Sequence, residues 1–268
     1  MLSAAVNRDI IMANFSPVRK EQHQNLKLAK QRNLSHVANQ HIAPVTAAEF
    51  AQASASFPIV LIKNPDSPRF RSVIMLGIES GENLFYQADK WSGLSVPLSI
   101  GMVPFALGLD PEKENTLTAC IDLDSEFVGE DKELALFDDE GKETEVLANV
   151  QDSLGRLYEN ERMTESFIKE LEENDLLQEL ELNINLSSGE KKKLVGIFTI
   201  SEEKVKALSD EKVVDFHKRG LFVPIYAMLG SLGQVNRLVQ LRNQVSDIKI
   251  SGIQIAPLAQ AKEEVAES

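Results

Sequence analysis

The sequence predicts an α+β fold, with an antiparallel β-rich N-terminal half and a helical C-terminal half. Two observations predict it. Between Ile59 and Leu123, short runs rich in β-branched and aromatic residues alternate with Gly, Pro, Asn and Asp clusters, the pattern of strands joined by tight turns. From Leu147 to Asn174, by contrast, Val150, Leu154, Leu157, Ile168 and Leu171 recur at the spacing of one amphipathic helix. The expected organisation is an arm over 1–35, a β-rich part over 36–145, a mainly helical part with a β-hairpin over 146–245, and a terminal strand with a flexible tail over 246–268. Residues 36–256 are expected to form one domain.

Taken in order, the stretch from Pro17 to Arg32 is polar and mildly basic, and reads as a short arm packing on the body or a loose leader rather than a core element. Thr46-Ala47-Ala48-Glu49 has the spacing of a capping box, which predicts a short helix from Ala47 to about Ser54. Ile59–Ile62 and Arg71–Ile78 are two strands across the turn Asn64-Pro65-Asp66-Ser67-Pro68, and Leu84-Phe85-Tyr86 continues an antiparallel meander. The run from Trp91 to Leu109 holds 19 residues without a charge. Gly93, Pro97, Gly101, Pro104 and Gly108 divide it, so it reads as short buried strands and turns at the centre of the β-rich core, not as a membrane helix. Strands are expected at Val96–Leu98, Val103–Leu107 and Thr116–Leu123.

Residues 110–145 carry 14 acids and three lysines, the composition of a solvated surface. After the long helix, Leu180, Leu182, Ile184 and Leu186 alternate with polar residues, and Ser187-Ser188-Gly189-Glu190 turns the chain back into Leu194–Thr199. Ser201 and Ser209 are placed as N-caps of two short helices, the second closed by Gly220. The uncharged run Gly220–Asn236 reads mostly as a buried helix, and Ile248, Ile250, Ile253 and Ile255 as a last strand with a bulge at Gly252.

Composition narrows the function. The net charge of −13, from 41 acids and 28 bases, opposes nucleic-acid binding, which needs a basic face. One cysteine, Cys120, excludes an internal disulfide and a thiolate metal cluster. Residues 1–11 hold no sustained apolar stretch, so no secretory signal and no membrane span are expected, and the cytoplasm is the expected location. Met12 is a second candidate start.

No familiar catalytic pattern is complete. Asp122, Asp124, Glu126 and Glu133 fall at calcium-loop positions, but Phe127 stands where that loop needs glycine. His23, His36, His41 and His217 form no metal-binding pair, and the glycines Gly77/Gly81 and Gly230/Gly233 lack the rest of a nucleotide fingerprint. No metal and no cofactor are therefore expected. The candidate binding residues are His41 and Trp91, each beside an apolar segment, with Phe105, Asp122 and Asp124.

A set of segments remains: His41-Ile42-Ala43-Pro44-Val45, Phe57-Pro58-Ile59-Val60, Gly81-Glu82-Asn83-Leu84-Phe85, Trp91, Val96-Pro97, Val103-Pro104-Phe105-Ala106, Cys120-Ile121-Asp122-Leu123-Asp124, Leu136-Phe137-Asp138 with Gly141, His217-Lys218-Arg219-Gly220 and Ser231-Leu232-Gly233. Together they resemble the SapC family, named for a gene beside surface-layer export genes. The resemblance spans about 33–243. It implies a surface-layer or envelope-uptake setting and brings no catalytic residue with it. The leading expectation is a non-enzymatic accessory protein that binds a protein or peptide, with its oligomeric state open. The rival is an enzyme or enzyme subunit acting on a peptide or small molecule, with His41, Trp91, Asp122 and Asp124 in one pocket. A membrane transporter component is a third reading, prompted by the two uncharged runs.

Overall fold

A computed structural model describes residues 14–63, 69–114 and 116–258. The Asn64–Pro68 turn, both candidate starts and the tail from Gln260 lie outside these residues. The elements run β1 (Phe15–Pro17), α1 (Lys20–His23), β2 (Lys27–Leu28), β3 (Ile42–Pro44), α2 (Phe50–Ala53), β4 (Ile59–Lys63), β5 (Phe70–Met75), β6 (Tyr86–Gln87), β7 (Lys90–Trp91), α3 (Leu98–Gly101), β8 (Phe105–Leu109) and β9 (Leu117–Asp122). They continue with β10 (Val128–Gly129), β11 (Leu134–Ala135), α4 (Glu145–Glu173), β12 (Leu177–Leu186), β13 (Lys191–Ile200), α5 (Glu202–Lys206), α6 (Asp210–Lys218), α7 (Phe222–Ser231), α8 (Val235–Val245) and β14 (Ile250–Pro257). The fold is α+β, with antiparallel sheets and a helical C-terminal region broken by the β12–β13 hairpin and closed by β14.

The chain forms two compact units that interleave in sequence: one holds 35–97 with 161–258, the other 14–34 with 98–160. The crossings fall at 34/35, 97/98 and inside α4, whereas the sequence reading drew boundaries at 35/36, 145/146 and 245/246. A continuous helix carries no turn chemistry to mark such a crossing. The helix instead changes its apolar partners: Leu147 and Leu154 pack into the smaller unit, while Phe167, Ile168 and Leu171 are buried in the larger one.

The smaller unit folds around Leu28, Met102, Phe105, Ile121, Phe127, Leu136, Leu147 and Leu154. Its sheets run β1-β9-β8 and β10-β2-β11. The expected arm is thus part of the fold. Phe15, Ser16 and Pro17 pair with Asp122, Ile121 and Cys120, and Leu28 is buried. Its basic residues had masked this role, because they stay at the rim: Arg19 meets Asp110 at 2.7 Å and Glu112 at 3.0 Å.

The larger unit is built on a six-stranded antiparallel sheet ordered β14-β12-β13-β4-β5-β3. Central β4 is buried on both faces at Ile59, Val60 and Leu61, which explains its unbroken apolar run. The capping box at Thr46 forms: Glu49 Oε2 accepts from Thr46 N at 3.1 Å. Ser201 and Ser209 cap α5 and α6 as expected.

Four expectations change in detail. Tyr86–Gln87 leaves the meander and pairs with Lys90–Trp91 in a two-stranded sheet, while β3 takes the place beside β5. Val96–Leu98 forms no strand, and α3 begins at Leu98. The uncharged Trp91–Leu109 run is core only in part: Ile100, Met102 and Phe105 are buried, while Leu94 is 78% and Leu109 71% exposed. Its lack of charge reflects Gly, Ser and Pro in connections more than burial. The Gly220–Asn236 run likewise becomes two helices, with Val223 and Tyr226 exposed.

Candidate binding site

The larger unit contains a small cavity, and local sequence explains each of its walls. Ile184, Leu186 and Leu194 come from the β12–β13 hairpin, whose alternation turns them to one face of the sheet. Ile250 opens β14, Ile78, Glu79 and Ser80 follow β5, and Arg242 comes from the last turn of α8. The volume is about 210 Å³. Ligand and cofactor pockets commonly span about 300–1,000 Å³, so this space fits one large apolar side chain rather than a nucleotide or flavin.

The turn over 78–82 is fixed by its own glutamate. Glu82 Oε2 accepts from the amides of Ile78 at 2.9 Å and Glu79 at 3.4 Å. Gly77 is required at its base, since a Cβ there would lie 2.2 Å from the Glu82 carbonyl oxygen. This turn presents two carboxylates to two cations. Lys192 Nζ meets Glu79 Oε1 at 2.7 Å, and Arg242 bonds both Glu79, at 3.3 Å, and Glu82. The hydrogen bond from Lys192 and the charge of Arg242 hold the Glu79 carboxyl below its usual range, and Glu79 in turn raises Lys192. The cavity therefore has an apolar floor and a rim whose charges are already balanced.

His41 stands by this network. Its carbonyl accepts from Leu76 at 2.7 Å and Gly77 at 3.0 Å, while burial lowers its imidazole pKa against the opposing pull of Glu82. A histidine with a lowered folded value gains its proton in the unfolded chain first. Its contribution to stability is thus complete above the ordinary value of 6.5 and is lost as pH falls from there through the folded value. Glu79 acts in the same direction at lower pH, as its depressed carboxyl is forced to protonate. Urea midpoints followed by Trp91 fluorescence should fall between about pH 7 and about pH 5, and His41→Gln should flatten the upper part of that decline. A slope unchanged by the substitution contradicts this role for His41.

Trp91 lies in the same unit as His41, but its indole N–H donates to the Ser95 carbonyl at 2.9 Å and its ring packs on Phe57 at 5.8 Å and Phe85 at 6.1 Å. Phe105, Asp122 and Asp124 belong to the other unit. Phe105 is buried in its core, and Asp122 Oδ1 accepts from Asp124 N at 3.1 Å, a local turn contact. Phe127 of the calcium-like loop is core as well, and strand β9 stands where an entering helix would be. Among the described residues, no three His, Cys, Asp or Glu side chains gather as metal ligands. Cys120 is buried, and its thiol pKa is raised by that burial and by Asp110, the reverse of what activates a nucleophile.

Sequence reasoning missed Glu79, Lys192 and Arg242 as a group. One signal was present. Lys192 shares a strand face with Leu194 and sits opposite Ile184, so it is a cation on an otherwise apolar stripe.

No curated protein and no solved structure matches the chain. Among the described residues no helix is long and apolar enough to cross a membrane. The SapC family model matches residues 18–238, most of both units, and the chain belongs to the SapC family.

Proposed function

We propose that the protein is a non-enzymatic accessory protein that binds a peptide or protein partner through the larger unit's cavity. The observation that carries this reading is the site's size and build: a space for one apolar side chain, lined at its charged side by Glu79, Lys192, Lys193 and Arg242, with Glu82 and Glu181 pairing Arg242 and Lys193. An incoming segment can seat one apolar residue and exchange its own charges with the balanced rim, without leaving a cation or carboxylate unpaired. The surface-layer or envelope-uptake setting is supported by the family's genetic neighbourhood. We place the protein in the cytoplasm, a setting consistent with its acidic composition and single buried cysteine.

Selection from a random peptide library displayed on phage tests the binding. Enriched peptides should carry one large apolar residue beside charged ones, and should lose at least about tenfold in affinity, about 1.4 kcal/mol, for the Leu194→Trp variant, which fills the cavity. Selection that enriches nothing, or peptides indifferent to Leu194→Trp, would refute the reading.

A further inference from the structure

The six-stranded sheet ends in a strand of unusual character. β14 lies at its edge, and among the described residues nothing pairs with its outer side. From Ile250 to Pro257 it contains no Asp, Glu, Lys or Arg, in a chain of net charge −13. Edge strands of monomers are normally protected by charges, prolines or bulges. Here the protection sits at the two ends, Pro257 closing the strand, and leaves 253–256 without it. The Asn243 side chain donates to the Ile250 carbonyl at 2.9 Å and accepts from the Ile250 amide at 2.7 Å, occupying the position of a neighbouring strand. Ser251 then bulges where Asn185 pairs with Gly252 and Leu186 with Ile250.

Beyond the bulge the alternation of an antiparallel ladder resumes, with Ile184 opposite Ile253, Asn183 opposite Gln254 and Leu182 opposite Ile255. Because Ile250 faces outward and the bulge counts as one step, the amides and carbonyls of Ile253 and Ile255 also face outward. Their side chains share the apolar face with Leu182 and Ile184, yet both stay only partly covered.

We infer that β14 pairs antiparallel with β14 of a second copy of this chain about a two-fold axis at Gln254. In that arrangement Ile253 of each copy faces Ile255 of the other, which forms four backbone hydrogen bonds and covers all four isoleucines. Gln254 meets Gln254 across the axis, where each side-chain amide is both donor and acceptor. The strand is complementary to itself and brings no like charges together, while a charged peptide finds no counter-charge on it. The two six-stranded sheets become one, with no edge left open at that side.

Sedimentation velocity over a wide concentration range tests the pairing, together with cross-linking. The full chain should reach twice its 29.7 kDa mass, and Gln254→Lys should weaken the dimer roughly fivefold by setting like charges opposite each other. Gln254→Cys should form a disulfide-linked dimer under mild oxidation, because opposed residues at such a site lie close enough for the bond. Ser188→Cys, exposed in the hairpin turn, should not. A monomer at every concentration overturns the inference, as does a dimer that ignores Gln254→Lys or cross-links equally through Ser188→Cys.

Discussion

Phe57→Ala should lower the unfolding free energy by about 4 kcal/mol, the scale of removing a large aromatic from a packed core. Phe57 is 0% exposed, with its ring 4.6 Å from Phe85 and 5.8 Å from Trp91. The space around it cannot collapse readily. Ser92 N donates to the Phe85 carbonyl, Ser56 Oγ accepts from Leu94 N, and Arg237 donates to the Ser92 carbonyl, so the segment following Trp91 is tied down on three sides. Trp91 is the chain's only tryptophan and touches Phe57, so its fluorescence in a urea titration reports this unit directly. Leu94→Ala, at a side chain 78% exposed, should stay within about 0.5 kcal/mol of the parent. Equal effects at the two positions would contradict the packing described.

Gly77→Ala should cost about 3 kcal/mol and remove peptide binding as well. A methyl group at this position meets the Glu82 carbonyl oxygen at 2.2 Å, and a backbone atom cannot swing aside as a side-chain tip can. The turn must open, and Glu79 and Glu82 then leave Lys192 and Arg242. Gly81→Ala provides the comparison. Gly81 has φ +81° but open space around it, so the cost there is conformational only, about 1 kcal/mol. If Gly81→Ala proved the more damaging of the two, the close approach at Gly77 would not be what fixes the turn.

Much of the fold was legible where local chemistry decides it. The capping box at Thr46, the N-caps Ser201 and Ser209, the long helix and the β12–β13 hairpin all follow from spacing that the chain carries within a few residues. What escaped depends on distant partners. The N-terminal segment looked like an arm because its lysines and arginines are plain in sequence, whereas the pairing of Phe15–Pro17 with Cys120–Asp122 joins β1 to the distant β9. Gly196, at φ +81°, lets β13 bulge against β12 inside what reads as a continuous strand. The cavity was hidden for the same reason. Its charged side joins Glu79 to Arg242, far apart in sequence, and Glu82, in the segment Gly81-Glu82-Asn83 that stood out, bonds the same Arg242. Asn83 in that segment has a purely architectural place, buried and bonded to Val37, Phe85 and Tyr86.

The cavity as a seat for a partner's apolar side chain is tested most directly by methyl NMR of the full chain titrated with a library-selected peptide. The methyl resonances of Ile78, Ile184, Leu186, Leu194 and Ile250 should move together and saturate at one affinity, while those of Leu28 and Leu136 in the other unit stay still. Saturable binding that leaves the cavity methyls unmoved, or moves them only in Leu194→Trp, would contradict the account.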